Sequence, residues 1–131
     1  MAVSVLLLLA PAGSAGALEC RAPQKEMAVA ELMFGRNIAG RLAVSEAGWT
    51  RFLEREVSPR FPAGLTVIDA VGRWHDPARN RIVREPSKVV TIVLRGGTNQ
   101  EQRLGEIVEA YKRRFQQQSV GVMIRPACVS F

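Results

Sequence analysis

The chain has 131 residues, of which 47% are hydrophobic, enough for one packed domain and short for two. Eighteen Lys and Arg oppose twelve Asp and Glu, for a formal net charge of +6. The basic residues are scattered and interrupted by Glu, with no recognised motif, so nucleic acid is disfavoured as a partner; an anionic envelope surface or an acidic small ligand suits the charge better.

Residues 1–17, MAVSVLLLLAPAGSAGA, differ in composition from the remainder of the chain. An apolar run from Val3 to Ala10 gives way to Pro, Gly, Ser and Ala, the pattern of a secretion signal with Ala15-Gly16-Ala17 as the cleavage site. The run is too short to span a bilayer. The expected product is a single domain over residues 18–131, periplasmic or secreted. Lipid attachment at Cys20 is the lesser alternative, because Glu19 stands where a small residue is expected. Cys20 and Cys128 are the two cysteines. An oxidising compartment permits them to pair, whereas two free thiols are the plain alternative; neither lies in a C-x-x-C motif.

Ala28 to Phe34 reads as a first strand, with Ala30, Leu32 and Phe34 on one face and Val29, Glu31 and Met33 on the other. Residues 35–40 read as a loop whose two glycines lack phosphate-loop spacing, leaving Arg36 either to hold an anion or to brace the loop. Ser45 is the expected N-cap of a first helix, with Trp49, Phe52, Leu53 and Val57 as its buried stripe and Pro59 as its limit.

Leu65 to Leu94 is the centre of the chain. Thr66, Val67, Ile68, Val71 and Trp74 argue one strand and Val89 to Leu94 another, joined by a polar excursion with turn-forming Asp76, Pro77 and Asn80. Pro86 marks a strand start, bulge or loop. Thr98 and Glu101 have capping-box spacing, and Leu104, Ile107, Val108, Tyr111 and Phe115 form the apolar stripe of a second helix. Glu109 and Arg113 are placed for an i,i+4 pair, and Gln116 to Gln118 close the helix. Val120 to Val129 returns to strand character, with Pro126 implying an edge.

Strand, helix, strand, strand, helix, strand is an α+β order. Two interlocked right-handed β-α-β units of this kind give a ferredoxin-like split sandwich, a four-stranded antiparallel sheet with two helices on one face. Its last strand lies beside its first, which brings Cys20 toward Cys128. The other face is left without a helix, and Glu31, Met33, Asp69, Val71, Thr91, Val93 and Val122 are its expected occupants. A second subunit, loops or a small ligand would cover such a face, so a homodimer through it is one expectation.

Arg36, Arg84, Glu85 and Lys88 are the leading ligand-binding candidates: Arg and Lys can hold a carboxylate or phosphate while Glu serves as acid or base. The plain alternative is that Arg84 and Glu85 pair with Arg73, Asp69 or each other to hold the hairpin. Glu31, Asp69 and His75 are weaker candidates, with Glu31 and Asp69 forming a carboxylate pair only if they share a face. His75 is the sole histidine, so a zinc site of the usual kind is not expected, and no catalytic residue or cofactor can be named.

The order of Phe34-Gly35-Arg36, Trp49-Thr50-Arg51-Phe52-Leu53, Pro59 to Thr66, Arg84-Glu85-Pro86-Ser87-Lys88, Tyr111 to Phe115 and Cys128-Val129-Ser130-Phe131 resembles an uncharacterised family of small exported bacterial proteins, catalogued as a domain of unknown function. The resemblance spans about Cys20 to Phe131 and implies export, with no established catalytic residue. Two functional classes are open to such a chain: a binding or interaction module of the envelope, or a small cofactor-independent enzyme, monooxygenase-like or isomerase-like, using a pocket on the open sheet face.

Overall fold

The computed structural model describes residues 18–131, so the signal segment and its cleavage site lie outside the described residues. Its elements are β1 (Lys25–Gly35), β2 (Asn37–Ile38), β3 (Arg41–Leu42), α1 (Glu46–Phe52), β4 (Thr66–Asp76), β5 (Arg81–Leu94), α2 (Gln100–Phe115) and β6 (Gly121–Val129). The main sheet is antiparallel in the order β4-β5-β1-β6. This is the ferredoxin-like split sandwich expected from the element order.

Period two sets the register. Ala30, Leu32 and Phe34 of β1 are fully buried, opposite Ile92, Val90 and Lys88 of β5, so these positions share the face beneath the helices. On that face Phe34, Trp49, Phe52 and Tyr111 form the centre of the core, with the Phe34 and Tyr111 rings edge-on at 4.7 Å. The Tyr111 hydroxyl donates to the Gly35 carbonyl at 2.7 Å, and burial pushes its phenol pKa up. Ser45 caps α1 as expected, its Oγ accepting from the Gly48 amide at 3.0 Å. Beyond Phe52 the helix widens into one π-helical turn, Leu53–Val57, which carries Val57 into the core.

Several local expectations are corrected. Residues 37–42 are a small hairpin, β2 against β3, turned by positive φ at Ala39 and Gly40. The capping box is absent: Asn99, not Thr98, precedes α2 and is left-handed at φ 66°, whereas a capping-box residue must be extended. Glu109 pairs with Lys112 at 2.9 Å, not with Arg113.

The largest difference is the length of the central hairpin. The polar excursion is mostly ladder, since β4 and β5 stay paired out to Asp76 and Arg81. β1 stops pairing at Gly35 opposite Ser87, so the hairpin continues past it as an arm. Pro86 is tolerated inside β5 because its carbonyl points toward β1, accepting from the Arg36 amide at 3.0 Å; its missing N–H lies on the same side, beyond the ladder. At the arm's tip Asp76 Oδ1 accepts from the amides of Ala78 and Arg79, and Oδ2 from Arg79 Nη1 at 2.8 Å.

Cys20 and Cys128 form a disulfide with Cα atoms 5.4 Å apart, tying the segment before β1 to the end of β6. Among the described residues, no helix is long and apolar enough to cross a membrane. Glu31, Met33, Thr91 and Val93 lie on the open face as expected. Asp69, Val71 and Val122 do not: Asp69 pairs with Lys88, Val71 with Pro86 and Val122 with Leu32, all helix-side positions. Ile68 and Met123 take their places, both exposed.

Candidate functional site

The ligand candidates Arg36, Arg84, Glu85 and Lys88 are divided by the sheet. Strand alternation sends Lys88 to the helix side and Glu85 to the open side. Arg36 follows Gly35 and turns under α1, where Nε and Nη2 donate to the Val44 carbonyl at 2.9 and 2.7 Å and Nη1 to Glu46 at 2.5 Å. Lys88 Nζ donates to the other Glu46 oxygen at 2.9 Å and to Asp69. Burial alone would lower the Lys88 pKa; the hydrogen bonds and charges of Asp69 and Glu46 outweigh it and raise it. The Lys88 hydrogen bond in turn lowers the pKa of both carboxylates. Two cations and two carboxylates thus close on one another, bracing β1, β4 and β5 against α1.

Arg84 is exposed on the arm opposite Arg73. His75 Nε2 lies 3.0 Å from Asn80 Oδ1 at the turn. Glu31 pairs across strands with Arg125 at 3.3 Å, on the face opposite Asp69, so the two carboxylates do not form a pair.

Glu85 occupies a different setting. It is 9% exposed, with Oε1 accepting from the Trp74 indole Nε1–H at 2.8 Å and Oε2 from the Asn37 amide at 3.0 Å. Gly35 makes the room for it, since a Cβ there would stand 2.6 Å from Glu85 Oε1; Gly72 does the same for the neighbouring Ser87, whose Oγ would lie 2.9 Å from a Cβ. The carboxylate lines a cleft of about 800 Å³ at the end of the open face. The arm, the β2-β3 turn and residues 116–119 after α2 wall it, and Gln117 Nε2 joins two of these walls by donating to the Asn37 carbonyl at 2.8 Å. Met33 and Trp74 supply apolar lining. A cleft with an oriented carboxylate in its lining can accept a hydrogen-bond donor or take up a proton.

Trp74, Asn37, Gln117, Gly35 and Gly72 were not foreseen as site residues. Gly72 carried the available signal, since a glycine inside a strand pattern marks a close approach.

A family model described as "Protein of unknown function (DUF3574)" matches residues 29–131. The chain belongs to this family. The DUF3574 match takes in every strand and helix except the first residues of β1, and with them the whole cleft. No curated protein matches the DUF3574 chain. Among solved structures, a phage SAM lyase in complex with S-methyl-5'-thioadenosine is similar at a TM-score of 0.62 with 14% identity, covering 87% of this chain and 95% of the lyase. A phage SAM lyase in its apo state gives 0.57 with 18% identity, covering 87% and 92%. CutA from Synechococcus elongatus complexed with Bis-Tris gives 0.51 with 9% identity, covering 82% and 87%. At these identities the likeness is one of fold.

Proposed function

We propose that this DUF3574 protein is an exported binding module of the bacterial envelope that holds a small ligand in the cleft at the end of its open sheet face. The observation that carries the reading is Glu85, a carboxylate nine-tenths buried, oriented by Trp74 and Asn37, seated in the room that Gly35 leaves, and lining a cleft. The arrangement places a costly buried charge beside a cavity of ligand size. Arg36 and Lys88 serve this reading indirectly, by fixing the strand ends from the far side. Export is supported by the Cys20–Cys128 disulfide. The rest of the open face, where Ile68 and Met123 are exposed, is the surface offered to a second subunit; light scattering on the purified protein tests this by its mass.

A metabolite screen followed by two-dimensional NMR tests the reading. S-methyl-5'-thioadenosine belongs in it, because a protein of this fold is solved with that ligand. A binder is expected to shift the amides of Asn37, Gly72 and Gln117 together. Hits confined to other surfaces, or no hits, count against the cleft.

The second reading, a cofactor-independent enzyme of monooxygenase-like or isomerase-like kind, draws on the same carboxylate, whose two donors orient it to exchange a proton with a bound substrate. Turnover of a hit that disappears in Glu85→Gln while binding persists favours the enzyme; binding without turnover favours the module.

A further inference from the structure

We infer that the ligand of this cleft presents a protonated nitrogen, in an amine, amidine or guanidine group, to Glu85; the inference rests on the cleft being a binding site. The reason is charge accounting. On the helix side Arg36, Lys88, Glu46 and Asp69 balance one another. On the open side both donors to Glu85 are neutral, an indole N–H and a backbone amide, and among the described residues Glu85 takes part in no ion pair. An ionised carboxylate has about four acceptor positions, and these donors occupy two. Its remaining capacity meets the cleft, where a cationic donor adds Coulomb attraction to the hydrogen bond that a neutral donor would also make.

Three arginines line the cleft, Arg73, Arg79 and Arg81, and none makes an ion pair with Glu85 among the described residues; Arg73 pairs with Arg84, one step of strand alternation from the Glu85 face. Arg79 is held by Asp76 at 2.8 Å. Arg81 shares the face of Glu85 four residues along β5, with the two Cα atoms about 13 Å apart at the rise of a strand. Glu85 is thus left without a cationic side-chain partner among the described residues.

The test uses three probes of one shape, benzamidine, benzamide and benzoate, titrated into the isotopically labelled protein. The readouts are the Trp74 indole N–H and the Asn37 amide, the two donors to Glu85. Benzamidine is expected to move both peaks saturably in the millimolar range, at least about tenfold more tightly than benzamide, with benzoate weakest. Added salt should weaken benzamidine selectively, a comparison that needs no variant, and Glu85→Gln should abolish its advantage. Equal binding of benzamidine and benzamide, or preference for benzoate, overturns the cationic class while leaving the cleft as a binding site. If no probe moves either peak the inference also falls, and the metabolite screen decides the cleft separately.

Discussion

Trp74 donates its indole N–H to Glu85 across the β4-β5 pair at 2.8 Å, joining a side chain 41% exposed to one 9% exposed. The bond holds the arm and orients the carboxylate together. Trp74→Phe removes the donor and keeps most of the ring contact. A loss of about 1.5 kcal/mol is expected, the lower end for a hydrogen bond to a charged group because the indole is part-exposed. Urea unfolding of the two proteins measures it, and an unchanged midpoint would show the bond to be ornamental.

Two Gly→Ala substitutions should act in opposite directions. At Gly35 the new methyl meets Glu85 Oε1 at 2.6 Å and should destabilise by about 2 kcal/mol while displacing the Trp74 indole resonance. Gly105, inside α2 and exposed, has nothing within 4 Å of its Cβ position, and Ala there should stabilise by about 0.8 kcal/mol. Thermal melts of both variants decide the matter by their signs.

The helix-side charge cluster should make stability pH-dependent in a defined direction. Folding lowers the pKa of Glu46 and Asp69, chiefly through the Lys88 hydrogen bond, from ordinary values of 4.5 and 3.8. Their contribution is therefore present above those values and lost as pH falls through the lower, folded ones. Lys88 is raised above 10.5, so its contribution is complete below that value and lost as pH rises through its folded one. In Lys88→Met the acid loss should be shallower than in the parent, because the first cause of both lowered values is gone. Denaturation midpoints between pH 6 and about 3 give the comparison, and parallel curves would refute the coupling.

Reduction of Cys20–Cys128, or Cys20→Ser with Cys128→Ser, removes a link between residues 108 apart in sequence. In the chain-entropy account the loss is about 4 to 5 kcal/mol. Guanidinium unfolding with and without reductant measures it; a loss below about 1 kcal/mol would mean that the reduced chain already holds its ends together.

Much of the fold could be read from local pattern. Alternation placed Ala30, Leu32 and Phe34 on one face, helical spacing picked out Trp49, Phe52, Leu104, Ile107 and Tyr111, and all are buried. Local pattern is ambiguous where charge and turn residues sit inside a ladder. Arg81 to Lys88 looked like an excursion because its polar side chains have partners that lie far away in sequence, Asp69 and Glu46 for Lys88, Trp74 and Asn37 for Glu85. The Thr98 capping box failed because the backbone at Asn99 is left-handed, a property of the incoming loop and not of residue spacing.

The sequence by itself determined the strand and helix order, the ferredoxin-like class, the buried stripes and the candidate cysteine pair, because each follows from a period or from a connection rule that operates along the chain. The tertiary structure alone decided which charges meet. One step of strand alternation separates the closed cluster around Lys88 from the carboxylate in the cleft, and only the pairing of β5 with β1 and β4 sets on which side of the sheet each one falls.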